Sequence, residues 1–217
     1  TYREHTVNLV DDANVPVLFY EDFSQWTGYT SADDWIKPYP GDWQLIPNDP
    51  GFWYYANAGA SEGTDRAVTL PDQYSSGAAV NPPADTQTSS AYRVEFPGDS
   101  SSAADTNIIH YIPGFVYESD RNYTLTVKLL AADGEISDIM IGLKGNINYG
   151  SWGAEFFTKP LNISHTDWVE YNVTATAEQI SSTGSAGHPI GVFFNIDASL
   201  TSGDDILYIT DIQIVPD

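Results

Sequence analysis

The chain contains no cysteine, so neither disulfides nor thiolate-bound metals hold it together. No segment reaches the ~18 consecutive apolar residues of a membrane-spanning helix, and no helical insertion is expected. Bases are scarce. Four lysines and four arginines face 30 acids, 21 of them Asp, for a formal charge of -22 over 217 residues. Such a field repels nucleic acid and anionic membrane surfaces alike. It suits a solubilised surface, a salty medium in which charges are screened, or oxygen ligands for Ca²⁺. Apolar residues at helical spacing are almost missing too, which leaves strands as the building material.

Catalytic signatures are equally thin. Four histidines, at 5, 110, 165 and 188, lack the spacing of a His-x-x-x-His metal pair. No Gly-x-Ser-x-Gly elbow, phosphate loop or cysteine nucleophile is present. A base and acid drawn from His110 and Tyr111 would point to opposite faces of one strand. Paired carboxylates for glycoside cleavage are easy to imagine among 30 acids and impossible to select. A lyase or glycoside hydrolase is therefore the minority reading.

What the chain does have is alternation. In 107–130, Tyr123, Leu125, Val127 and Leu129 alternate with Thr124, Thr126 and Lys128, the pattern of a strand with one apolar and one polar face. Pro113-Gly114 reads as the turn before it. Further strands are predicted at 6–10, 15–20, 43–46, 52–56, 67–70, 91–96, 106–112, 136–143, 154–158, 168–176, 190–196 and 206–215, with turn residues between them. Ser75–Ser90 reads as a long surface loop. Strands at this spacing without βαβ alternation predict an all-β, antiparallel sandwich (jelly roll) occupying 1–217 as one domain. Residues 1–12 form a possible N-terminal arm, and 27–90 an aromatic- and loop-rich insertion.

Several pieces, in order, resemble the galactose-binding-like jelly-roll carbohydrate-binding modules attached to xylanases and glucanases. They are FYEDFSQW (Phe19–Trp26), IPGFVYESDRNYTLTVKLLA (Ile112–Ala131), DWVEYNVTATA (Asp167–Ala177), GVFFNIDA (Gly191–Ala198) and DILYITDIQIV (Asp205–Val215). The resemblance implies a noncatalytic module that binds polysaccharide. It also implies a structural Ca²⁺ between the opening acidic turn and the closing strand, with Glu21, Asp22 and Asp211 as ligands. This chain has Thr210-Asp211 where the family usually carries two adjacent acids, and its 27–90 region is longer than the family's opening.

Sugar rings stack on flat side chains that offer much contact area for little conformational entropy. The candidates are Trp35, Trp43, Trp53, Tyr55, Tyr111, Tyr149 and Trp152, with Trp26 and Trp168 assigned to packing. Three sequons, at Asn122, Asn162 and Asn172, fit a glycosylated, secreted or cell-surface protein. Thr1 as first residue reads as a processed chain or a piece of a larger secreted enzyme. The alternative is a filament or surface-layer subunit whose arm is donated to a neighbour's sheet.

Overall fold

A computed structural model describes residues 17–23, 53–56, 66–73, 79–84, 89–96, 106–132, 136–145, 154–163, 167–196 and 205–217. Two antiparallel sheets face each other across one core. The first contains β1 (Phe19–Glu21), β3 (Arg66–Thr69), β6 (Ser90–Phe96), β8 (Tyr123–Ala131), β11 (Val169–Ala175) and β13 (Asp205–Pro216). Its order is β11-β8-β13-β6-β3, with β1 added alongside β13. The second runs β10-β9-β12-β7-β2, from β2 (Trp53–Ala56), β7 (Thr106–Val116), β9 (Ile136–Gly145), β10 (Ala154–Ile163) and β12 (Pro189–Ile196). A two-stranded ribbon pairs β4 (Asp72–Gln73) with β5 (Ala79–Val80). This is the expected antiparallel sandwich.

The inward residues of β8 explain why the sheets close. Tyr123, Leu125, Val127 and Leu129 are buried and pack with Ile139, Ile141 and Leu143 of β9 and Val192 and Phe194 of β12. Burying a side chain of this size contributes about 1.5–3 kcal/mol each. The predicted polar face of β8 holds at Thr124 and Thr126, which are partly exposed, but fails at Lys128, which is buried. The cause lies on the other side of the first sheet. Leu70, Val80, Ala91, Leu130, Ala132, Ile206 and Tyr208 form a second apolar cluster there, with Trp168 packed at its edge.

Part of the predicted 75–90 loop belongs to that cover. Val80 and Pro83 are buried, and the Trp168 indole donates a hydrogen bond to the Asn81 carbonyl at 2.8 Å. Trp168, assigned to packing, is partly buried in that role.

Two further expectations change. Pro113-Gly114 is no chain reversal but lies within β7. Pairing with β12 jumps from Tyr111↔Gly191 to Val116↔Pro189, so residues 112–115 form a bulge opposite one residue, where proline's missing N–H removes no ladder bond. A short helix, α1 (Ala177–Ser182), also appears. Thr176 caps it by accepting from the Gln179 N–H, while the Gln179 side chain accepts from the Thr176 N–H.

The end of the sandwich beside α1 is closed by rings. Tyr117 makes edge contacts with Tyr123 and Phe156 at 5.1 and 5.9 Å, and its hydroxyl donates to the Lys144 carbonyl. Gly145 completes this corner. A Cβ there would stand 2.6 Å from Ser185 Oγ and 3.0 Å from Tyr117 Cε2, both on buried residues. Gly145→Ala is therefore expected to lose about 1–3 kcal/mol by overpacking, read as a lower urea midpoint with an unchanged slope.

Candidate functional site

Alternation places Lys144 and Phe193 on the face of the second sheet that points away from the core, because Leu143, Val192 and Phe194 take the inward positions. Lys144 pairs with Gly191, and Phe193 with Gly142, so each large side chain faces a glycine across the strand boundary. The ammonium lies 5.1 Å from the Phe193 ring centroid, a cation–π contact between two residues that are each 1% exposed. Such a contact is worth roughly 2 kcal/mol when desolvated. Sequence reasoning overlooked both residues. The available signal was a lysine and a phenylalanine inside apolar strands, each paired to glycine.

The candidate rings stand relative to this floor as follows. Tyr111 is on β7, paired with Gly191, and Trp53 and Tyr55 are on β2, paired with His110 and Ile108. Through Gly191, Tyr111 shares the outward register row of Lys144, whereas Trp53 and Tyr55, through His110 and Ile108, share the rows of the inward Val192 and Phe194. Trp35, Trp43, Tyr149 and Trp152 lie outside the described residues, as does the 1–12 arm.

The expected metal ligands are also brought to one place. β1 pairs with β13 at Phe19↔Ile214, Tyr20↔Gln213 and Glu21↔Ile212, which carries Asp22 towards Asp211. Asp211 sits in a bulge of β13 between Thr210 and Gln213, with φ 56°, a left-handed conformation that Asp tolerates better than most residues. Its carboxylate is already engaged: Asp211 Oδ2 lies 3.0 Å from Lys128 Nζ. Among the described residues no group of three or more His, Asp or Glu side chains is arranged to hold a metal ion. The charge that meets Asp211 is an ammonium.

Of the sequons, Asn172 is exposed on β11, and its Oδ1 accepts from Thr126 Oγ1. Asn122 is partly buried, with its Oδ1 accepting from the Ala177 N–H at the start of α1. Asn162 lies in β10.

Beneath the second cluster, the Tyr208 hydroxyl donates to Asp72 Oδ2 at 2.7 Å, and Arg93 Nε lies 3.4 Å from the same oxygen. Burial, and then this hydrogen bond, push the Tyr208 phenol above its ordinary value. Burial does the same to Tyr117 and Tyr171, and is the largest cause at Tyr123. A phenol whose folded pKa is raised contributes stability that is complete below its unfolded value of about 10 and is lost as pH climbs beyond it. Alkaline titration is expected to show the Tyr117 and Tyr208 phenols ionising, by absorbance at 295 nm, only together with loss of the folded circular dichroism signal. Ionisation of all 14 tyrosines ahead of unfolding would contradict it.

No protein-family model matches the chain, and no curated protein sequence does. Solved structures do resemble it. The CBM22-2 xylan-binding domain from Paenibacillus barcinonensis Xyn10C superposes with a TM-score of 0.50 at 8% identity, over 91% of this chain and 98% of that one. The fold is that of the jelly-roll carbohydrate-binding modules. A Stig cyclase from Fischerella sp. TAU shares the jelly roll, with a TM-score of 0.52 at 14% identity, over 76% of this chain and 84% of that one. The arabinose-bound MgGH51 α-L-arabinofuranosidase aligns with a TM-score of 0.46 at 14% identity over 75% of this chain, which spans only 23% of that protein. At these identities the likeness concerns architecture, and one architecture hosts unrelated functions.

Proposed function

We propose that this jelly roll binds a polysaccharide, without catalysis, on the outer face of its second sheet. The observation that carries the reading is the different treatment of the two outer faces. The first sheet's outer face is occupied by the cluster around Leu130, Ile206 and Tyr208. The second sheet's outer face instead carries the Lys144–Phe193 pair next to glycine positions, with Tyr111 in the same outward row as Gly191 and Lys144. Lys144 and Phe193 are covered themselves, so they serve as a fixed floor, and contact with the sugar falls to rings around them. Trp35, Trp43, Tyr149 and Trp152 are the further rings to vary.

Affinity electrophoresis and a glycan array covering xylan, β-glucan, mannan and alginate test the reading. Retention by at least one polysaccharide, weakened by Tyr111→Ala, is the expected result. Retention by none removes it. Because a cyclase shares the fold, the second reading is an enzyme; release of soluble fragments from a retained polysaccharide would favour that one. An extracellular setting is part of the proposal, supported by the three sequons and by the exposure of Asn172. The calcium ion implied by the resemblance is not carried into it at Asp211, for the reason developed next.

A further inference from the structure

Most of the positive charges among the described side chains are kept inside the protein. Among the described basic side chains, Arg93, Lys128 and Lys144 are buried at 4%, 6% and 1% exposure, and only Arg121 is exposed. In a chain with charge -22, an interior lysine beside an acidic junction is a deliberate counter-charge. We propose that the Lys128 ammonium is the resident cation where the first and last strands meet, in the place that the family resemblance would give to Ca²⁺.

The geometry argues this in three steps. First, the backbone pairing of β1 with β13 sets residue 21 opposite Ile212, so the acidic positions 21 and 22 lie next to Asp211 along the seam. Charges gathered there need a positive partner. Second, the β13 bulge turns Asp211 so that its Oδ2 meets Lys128 Nζ at 3.0 Å, and the neighbouring Thr210 hydroxyl is fixed to the Ser90 carbonyl at 2.8 Å. Lys128 projects from the middle of β8, between β11 and β13, so its position is set by two ladders. Third, a divalent ion sharing Asp211 would lie beside that ammonium, and like charges oppose each other strongly where burial weakens screening. A covalently attached cation stays in place under conditions in which a bound one is stripped away. The tie between the chain's first and last strands then does not depend on metal supply. This inference is independent of the sugar-binding reading.

Thermal melts of the full chain, in excess chelator and in millimolar CaCl₂ at matched ionic strength, test it on the parent and on Asp211→Asn, Lys128→Met, Lys128→Arg and the Lys128→Met/Asp211→Asn double variant. Lys128→Met leaves a partly buried carboxylate without its ammonium and is expected to melt about 5 °C lower in chelator. Lys128→Arg, which keeps the charge, should stay much closer to the parent, and the double variant should recover most of the loss. Any response of the parent to calcium should persist unchanged in Asp211→Asn. A calcium-induced rise in melting temperature that Asp211→Asn abolishes would overturn the proposal, as would Lys128→Met melting with the parent. If Lys128→Met does not fold, the comparison of parent with Asp211→Asn decides alone.

Discussion

Asp72→Ala is expected to destabilise the protein by about 3–5 kcal/mol, one of the two largest losses anticipated for a single substitution. One carboxylate oxygen serves both the Tyr208 hydroxyl and the Arg93 guanidinium, and Arg93 is 4% exposed. Removing the carboxylate leaves a buried cation short of its charge partner, which costs far more than the pair contributes net. Asp72→Asn should fall between, since its side-chain oxygen can still accept from Tyr208 but carries no charge. Replacing Arg93 by Met in the Asp72→Ala background should return most of the stability, because an apolar residue needs no counter-charge. Urea titration of the parent, Asp72→Ala, Arg93→Met and the double variant forms the cycle. A midpoint for Asp72→Ala within error of the parent would show that the network contributes nothing. Any such loss should act first on the cover of the second cluster, because β4 carries Asp72 and Val80 of β5 belongs to that cluster.

The second large effect concerns Phe23. Its ring is fully buried and stacks on Tyr92 with centroids 5.5 Å apart, yet its backbone is left-handed at φ 60°. A bulky residue in that region carries a strain of roughly 1–2 kcal/mol, tolerated here because the core holds the ring. Phe23→Ala should cost about 3–5 kcal/mol through lost burial and the cavity left behind. Phe23→Gly removes the same ring but relieves the strain, against an unfolded-state penalty of roughly 0.5–1 kcal/mol. Glycine should therefore be no worse than alanine, and up to about 1 kcal/mol better, by chemical denaturation. At an ordinary extended position the order reverses, so glycine clearly below alanine would refute the left-handed turn after β1.

Which features could be read from the chain, and which could not, follows from how each is determined. The β8 alternation of Tyr123, Leu125, Val127 and Leu129 is a local pattern and survives folding intact. Lys128 is different, because its burial is decided by Leu70, Val80 and Tyr208, residues far away in the chain that gather on the same outer face. No periodicity within β8 announces a second cover. Pro113 and Gly114 signal a departure from regular backbone correctly, but a bulge and a reversal share that signal, and only pairing with β12 distinguishes them. The capping box at Thr176 and Gln179 was visible as residue types, although six residues of helix produce no periodicity to notice. For the candidate site, β1 pairs with β13 so that residue 21 stands opposite Ile212, beside Asp211. The partner of Asp211, however, is the β8 lysine whose burial the alternation concealed. Lys144 and Phe193 were missed for a related reason: alternation tells which side of a strand a residue takes, not whether that side is covered there.

Where the first and last strands lie has a mechanical consequence. Leu18 N–H bonds the Ile214 carbonyl, and residue 217 is clasped to Asn122 by reciprocal backbone bonds. Because β1 and β13 run antiparallel, residues 17 and 217 leave the sandwich at the same edge. A pull exerted between them would open the β1–β13 seam one rung at a time, like a zipper, instead of loading every rung together. Stretching by optical tweezers should accordingly peel β1 at a small force, while the strands flanking β8 yield only later and together.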